Sequence, residues 1–422
     1  MGLFQRLKTP INNTKGIALI MAVSAVSLLI YIAMEVMYDS NVEYIVNSQS
    51  LSGLKAYYAA KAGMDISLLR IKIYQTVKQK MGSNASQIPY LEQIWQKPLV
   101  WPLEISEGTS SIEKDEANKA VKESLMDATW RADIEDEGSK IDLNDLASSS
   151  KTLAEITKKQ VLQIFESEKR DNPDFNTKYS SYRFPELVNY ISDWMSSKRE
   201  GLNGGEKSAP YRDYKADGFP PNRGFRTVRE LRLVPGMSDE LYDLMEPRVT
   251  IYGLKGINPN SASKEVLMTL DPGITAEVAK KIQDRVNDSD QGGPFKGGEE
   301  GISAFWAFVT GPAGARLEQD PKTIPIVMDS MVSFKISSTG IFSGTARKIT
   351  AIVLDLNQSA QRTSDLLKKD KKDEKSPDPA EKKPPPPALG PDGRPLPPGA
   401  PAQAKTEPIP KGPPRIVYWS EN

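Results

Sequence analysis

Between Ile17 and Met34 the chain carries no charged side chain, and the residues before that run bear only the positive charges of Arg6, Lys8 and Lys15. A helix rising about 1.5 Å per residue crosses the hydrocarbon of a bilayer with a run of this length. Cations on its N-terminal side orient it, so the N-terminus is expected in the cytoplasm and the rest of the chain outside it. A cleaved secretory signal would end on small residues, whereas Glu35, Met37, Tyr38 and Asp39 follow here. A plain single-pass anchor accounts for hydropathy and charge. It leaves idle the dipeptide Lys15-Gly16 just before the run and the helical pattern that continues from Tyr44 to Tyr74. In that continuation Leu51, Leu54, Tyr58, Met64, Leu68, Leu69 and Ile73 recur at helical spacing. Ala56, Ala59, Ala60, Ala62 and Gly63 would let another helix or a sheet come close.

The 422 residues contain no histidine and no cysteine, and 55 Lys and Arg balance 55 Asp and Glu. Catalysis by Ser-His-Asp or by a thiol, zinc held by His or Cys, and haem or iron–sulfur ligation are therefore excluded. A bound metal would need oxygen ligands, which points to calcium or magnesium. Zero net charge argues against a nucleic-acid coat. No pair of acids stands out from the charged background, so no enzyme is expected.

Downstream, Ala128, Trp130, Ala132 and Ile134 alternate with polar residues as in a strand. Asp136-Glu137-Gly138-Ser139 reads as a turn that brings Lys140 to Leu143 back as a second strand, with Asn144 and Asp145 as helix caps. Helical runs follow at Leu153 to Glu168 and Phe184 to Ser197. A Gly/Pro/Tyr-rich loop from Gly201 to Asn222 holds Glu206, Asp213 and Asp217 and is preceded by Asp193. Strand signals return from Met328 to Leu356 around a Gly-containing turn. Residues 358–414 pass from mixed charge to a proline-rich tract that cannot bury a core, a disordered linker by composition. Arg415 to Ser420 has strand propensity, which makes sense only if it returns to the sheet.

The expected architecture is α+β: a long N-terminal transmembrane helix, an antiparallel sheet and a large inserted α-helical domain. The expected divisions are a leader at 1–16, the N-terminal helix at 17–75 with 17–34 in the membrane, and the first part of the sheet domain at 76–145. The insertion follows at 146–320, the second part of the sheet at 321–357, the linker at 358–414 and the last strand at 415–422.

Within the insertion two segments share a pattern. Val228 to Leu233 precedes a Pro235-Gly236 turn and then Leu241 and Leu244; Asn258 to Leu270, with Asn260 or Ser261 as N-cap, precedes Pro272-Gly273 and then Ala279, Ile282 and Arg285. Both resemble the helix-hairpin-helix module, which in DNA-binding proteins grips phosphate with backbone N–H groups. A membrane-anchored DNA receptor of the competence type is therefore the alternative reading. Against it, Ser238 and Thr275 stand where the gripping form has a second glycine, and Asp239, Glu240, Asp271 and Glu277 would repel phosphate. A protein-interaction scaffold is favoured, with no nucleic acid expected as partner.

A basic leader ending in Gly before an apolar helix resembles the signal of the type IV pilin-like superfamily. Further motifs narrow the resemblance: Asp136 to Asn144, Asp193-Trp194, Gly205-Glu206, Pro221-Asn222, Glu230-Leu231, Ile257 to Leu270 and Tyr418-Trp419. Together they are similar to the minor pseudopilins K of type II secretion systems. The resemblance implies a pilin-like sheet interrupted by a helical domain and cleavage by prepilin peptidase between Gly16 and Ile17, after Lys15, with N-methylation of Ile17. The fifth mature residue would be Met21 in place of the Glu of major pilins, as in a subunit at the filament tip. It further implies assembly with minor pseudopilins I and J and other pseudopilins, contacts with exoproteins or the outer-membrane secretin, and a capacity to bind calcium. Asp193, Glu206 and a carbonyl of Asn222 are the candidate ligands. Met195-Ser196-Ser197 follows Asp193-Trp194 where relatives commonly place a further acid, and the linker is unusually long. The residues leave two readings of this loop open, a calcium site and a solvated acidic loop.

Overall fold

The computed structural model describes residues 14–81, 93–102, 126–214, 218–328, 333–355 and 415–422, with short pieces at 115, 119, 121–124, 362–368 and 370. Most of the expected leader and most of the linker lie outside the described residues. Along the chain come α1 (Thr14–Met81), α2 (Gln93–Gln96), β1 (Leu99–Trp101), β2 (Thr129–Asp136), β3 (Ile141–Asp142), α3 (Lys151–Asp171), α4 (Pro173–Lys178) and α5 (Phe184–Met195). Next are α6 (Asp239–Met245), β4 (Val249–Thr250), α7 (Lys264–Leu267), α8 (Ala276–Asn287), α9 (Gly298–Thr310), β5 (Ser333–Phe342), β6 (Thr345–Leu354) and β7 (Arg415–Glu421).

The fold is α+β. Five antiparallel strands lie in the order β1-β2-β5-β6-β7, and the C-terminal half of α1 packs across them. Burial divides α1 along its length. From Ile17 to Leu51 its apolar side chains are exposed; beyond that, Ala56, Ala59, Ala60, Met64, Ile71 and Tyr74 are buried. Two glycines set the closeness of helix and sheet. A Cβ on Gly63 would lie 2.4 Å from Ser338 Oγ and 2.6 Å from the Trp130 ring, and one on Gly340 of β5 would lie 2.1 Å from the Ala56 carbonyl oxygen. The small-residue face therefore meets the sheet, while Leu51, Leu54, Tyr58, Leu69 and Ile73 of the same helix stay exposed.

In β2 alternate residues Trp130, Ala132 and Ile134 face α1 and its core, and Asp136 ends the buried row. β5 and β6 form a hairpin through Ser343 and Gly344, both at positive φ (46° and 77°), the geometry of a tight two-residue turn that matches strand twist. β7 lies antiparallel on β6, with Ile352 opposite Tyr418.

The expected return strand at Lys140 to Leu143 is a different object. Asp136 caps a 3-10 turn, Glu137–Ser139, and β3 leaves the sheet to pair in parallel with β4, Ile141 opposite Val249. The partners of this stretch lie in the insertion, so the chain exits there and does not turn back. The caps also differ from expectation. Asp142 accepts from Asn144 N–H and Ser150 from Leu153 N–H, in place of Asn144 and Asp145. Ser263, not Asn260 or Ser261, caps α7. The displaced residues have other work: Asn144 binds the backbone of Phe225, and Asn260 that of Phe295.

Between β2 and β5 the chain builds a second core from Ile141 to Met328. α3 and α5 contribute their i, i+3, i+4 faces to it, and rings stack at the contact: Phe165 on Phe184 at 4.6 Å, and Trp194 on Phe225 at 5.3 Å.

Candidate functional site

The place where β2 enters the insertion concentrates buried charge. Asp136 ends β2 facing inward; its Oδ1 accepts from Gly138 N–H at 2.8 Å, and its Oδ2 from Asn258 Nδ2 at 2.9 Å and Ser261 Oγ at 2.6 Å. Burial pushes its carboxyl above the usual range, against the pull of these donors. Glu137 accepts from Lys140 Nζ at 2.9 Å and from Thr250 Oγ1, tying the turn to β4. Burial opposes the Lys140 charge, but Glu137 and Glu135 outweigh it and hold its pKa above the ordinary value. Gly138 is required by packing, since a Cβ there would sit 2.3 Å from Leu254 Cδ1.

One turn further, Lys255 reaches Asp142 at 3.5 Å and also Asp145. Burial, then the charge of Asp142, pushes the Asp145 carboxyl up to about 7, with Lys255 pulling it down. Asn144 completes the seam as a two-bond clamp, Oδ1 accepting from Phe225 N–H at 2.8 Å and Nδ2 donating to Phe225 O at 3.2 Å. Asp136, Glu137 and Asn144 thus fasten the turn and the insertion through side-chain bonds, while Asp136 and Lys140 also line a cavity of about 390 Å³ with Trp95, Asn260 and Ser261.

The candidate calcium ligands have different partners. Asp193 is buried near the end of α5, and its Oδ2 accepts from Leu202 N–H at 2.8 Å. Glu206 points outward and pairs with Arg212 at 2.6 Å and Arg199 at 3.7 Å. Asn222 is exposed and sits at positive φ, 55°. Asp217 and the side chain of Asp213 lie outside the described residues. Among the described residues no group of three or more acids is placed to hold a metal ion. What occupies the Asp193 end of the loop is an ammonium. Lys207 is 8% exposed, and its Nζ donates to Asp193 O at 3.4 Å and to Ser196 O. Burial pulls the Lys207 pKa below the ordinary value while Asp193 pulls it back. No spacing in the sequence marks Lys207, because the partner oxygens are backbone.

This insertion is also where a family model matches: residues 139–254 fit the family described as type II secretion system (T2SS), protein K. That part of the chain is similar to type II secretion system protein K. That segment starts just after β2 ends and runs through β4. Among curated proteins none matches the chain. A solved structure titled the crystal structure of the GspK-GspI-GspJ complex from enterotoxigenic Escherichia coli type 2 secretion system is similar at 16% identity and a TM-score of 0.49, over 74% of this chain and 95% of that one.

The first hairpin lies inside the protein K segment and the second just beyond it, and both are closed by the protein itself. At the first, Gly236 has φ 82°, Tyr182 OH donates to its carbonyl at 2.7 Å, and Ser238 caps α6. Arg232 pairs with Asp239 and Asp243 across the turn. At the second, Asp271 is fully buried and accepts from Gly273 N–H at 2.8 Å, Glu318 N–H at 3.0 Å and Gln319 N–H at 2.9 Å. A carboxylate of the chain therefore takes one backbone donor of the hairpin, Gly273 N–H, and ties the turn to residues 318–319, and a Cβ on Gly273 would lie 1.9 Å from Arg316 O. Pro235 and Pro272 occupy the turn positions before these glycines.

Proposed function

We propose that the chain is a minor pseudopilin of a type II secretion system, anchored in the inner membrane through α1 with its folded part in the periplasm, that starts and tips a pseudopilus for export of folded proteins. The observation that carries this reading is the protein K segment inserted into a sheet whose covering helix continues as a wholly exposed apolar rod. Such a rod needs lipid and neighbouring helices, and the outward stripe of Leu51, Leu54, Tyr58, Leu69 and Ile73 extends the apolar surface beyond the membrane span. Prepilin peptidase would release Ile17 after Lys15-Gly16, and N-methylation would follow. A carboxylate at the fifth mature position would be costly in hydrocarbon without a partner amine, so Met21 suits a subunit with no neighbour above it. On this reading the insertion, entered from the end of β2, is the bulk that blocks addition of a further subunit. Minor pseudopilins I and J, whose counterparts share the complex named in the solved structure, are the partners for α1, and exoproteins or the secretin are contacts for the insertion.

The test is intact-mass and N-terminal analysis of the protein extracted from membranes of cells with active prepilin peptidase. The expected product begins at methylated Ile17 and co-purifies with pseudopilins I and J. Retention of Met1 to Gly16 refutes the reading.

A further inference from the structure

The last carbonyls of α5 have no following helical turn to bond, and they lie at the negative end of the helix dipole. At that end the chain collects oxygens: Asp193 O, Ser196 O and, close by, the Asp193 carboxylate. After a detour through Gly201 to Gly205 the chain brings Lys207 back to them. The detour is tightly closed: Gly205 O accepts from Gly201 N–H at 3.0 Å, and Arg199 O from Lys207 N–H at 3.2 Å. Gly201 is wedged between the two charged residues, since a Cβ there would lie 3.1 Å from Asp193 Oδ2 and 3.3 Å from Lys207 Cβ. Glu206 pairs with Arg199 and Arg212.

We propose that the Lys207 ammonium is the resident cation of this loop, straps residues 196–207 onto the C-terminus of α5, and makes their order independent of a divalent metal. A buried ammonium persists only where hydrogen bonds and opposite charge surround it, and the two carbonyls and Asp193 supply both. A calcium ion entering the same oxygens would have to displace a cation tethered to the chain. This inference concerns the loop alone and stands apart from the pseudopilin reading.

Hydrogen–deuterium exchange of the full chain in detergent micelles, read on peptides covering 196–207, tests it. Wild-type protection is expected to be the same with added calcium and with chelator. Lys207→Met keeps the apolar stem and removes the ammonium; exchange across Gly201 to Lys207 should then accelerate by at least about tenfold, the loss expected for a hydrogen bond from a charged group. Wild-type protection that requires calcium overturns the proposal, and so does wild-type exchange in Lys207→Met. If that variant does not accumulate, the calcium comparison on the wild type decides.

Discussion

Replacing Gly340 by alanine should separate α1 from the sheet. The new Cβ would lie 2.1 Å from Ala56 O and 2.4 Å from Ala60 N, both backbone atoms of α1. Real Cβ contacts essentially never fall under 3.0 Å, so helix and strand must part by about 1 Å. A gap of about that size forfeits roughly a quarter to a half of the dispersion energy of each contact along the seam. Overpacking costs about 1–3 kcal/mol, and backbone against backbone has no rotamer to relieve it, which places this change near the upper end. Alanine also restricts the unfolded chain, a gain of about 0.4–1 kcal/mol that offsets part of the loss. The net expectation is a destabilisation of about 2 kcal/mol. Gly53→Ala is the control on the same helix. Its Cβ would find Arg347 Nη2 at 3.5 Å, an ordinary contact, so the better helix former should stabilise by up to about 1 kcal/mol. Thermal unfolding of the full chain in micelles, followed by tryptophan fluorescence, reads both. If Gly340→Ala melts at or above the wild type, or if Gly53→Ala is equally damaging, the close-approach argument is wrong.

Asn144→Ala removes both bonds to Phe225 and should cost about 2 kcal/mol in the same melts. Asp271→Ala strands the N–H groups of Gly273, Glu318 and Gln319 in a fully buried place; a loss of about 3 kcal/mol or more is expected. The wild-type chain, with those donors already taken, should show no salt-dependent affinity for duplex DNA in a fluorescence titration. The Asp145 carboxyl has a folded pKa of about 7, above its ordinary 3.8, so the folded state holds this proton more tightly than the unfolded state. Its contribution to stability is full below about pH 3.8 and is lost as pH rises through about 7, and Asp145→Asn should flatten that part of the pH dependence of unfolding.

The parts of the fold that were legible in the sequence are those written in periodicity. The apolar run, the Ala/Gly face of α1, the strand at Trp130 to Ile134 and the hairpin through Ser343-Gly344 all follow from side-chain spacing and turn chemistry. The stretch after Asp136 did not yield to the same reasoning. Three polar residues with a glycine look like a hairpin turn, but their partners Thr250, Leu254, Asn258 and Ser261 lie more than a hundred residues away, and only the tertiary fold brings them in. The leucine and tyrosine stripe of α1 has helical spacing yet faces outward, because glycine and alanine allow the sheet to approach the opposite side more closely. Acids in the Gly201 to Asn222 loop suggested a metal by composition. Composition does not say that Glu206 is paired with two arginines or that Lys207 folds inward.

Two ion-binding geometries in the insertion are filled in the same way. The helix end at Asp193 and Ser196 offers oxygens suited to a cation, and the ammonium of Lys207 takes them. Gly273 of the turn and residues 318–319 converge three N–H groups suited to an anion, and the carboxylate of Asp271 takes them. A site that must exchange a ligand leaves its polar groups for that ligand to complete, since a buried donor or acceptor without a partner is costly. Here each is completed by a side chain that cannot dissociate. At these two places the chain itself supplies the charge that fixes the local geometry.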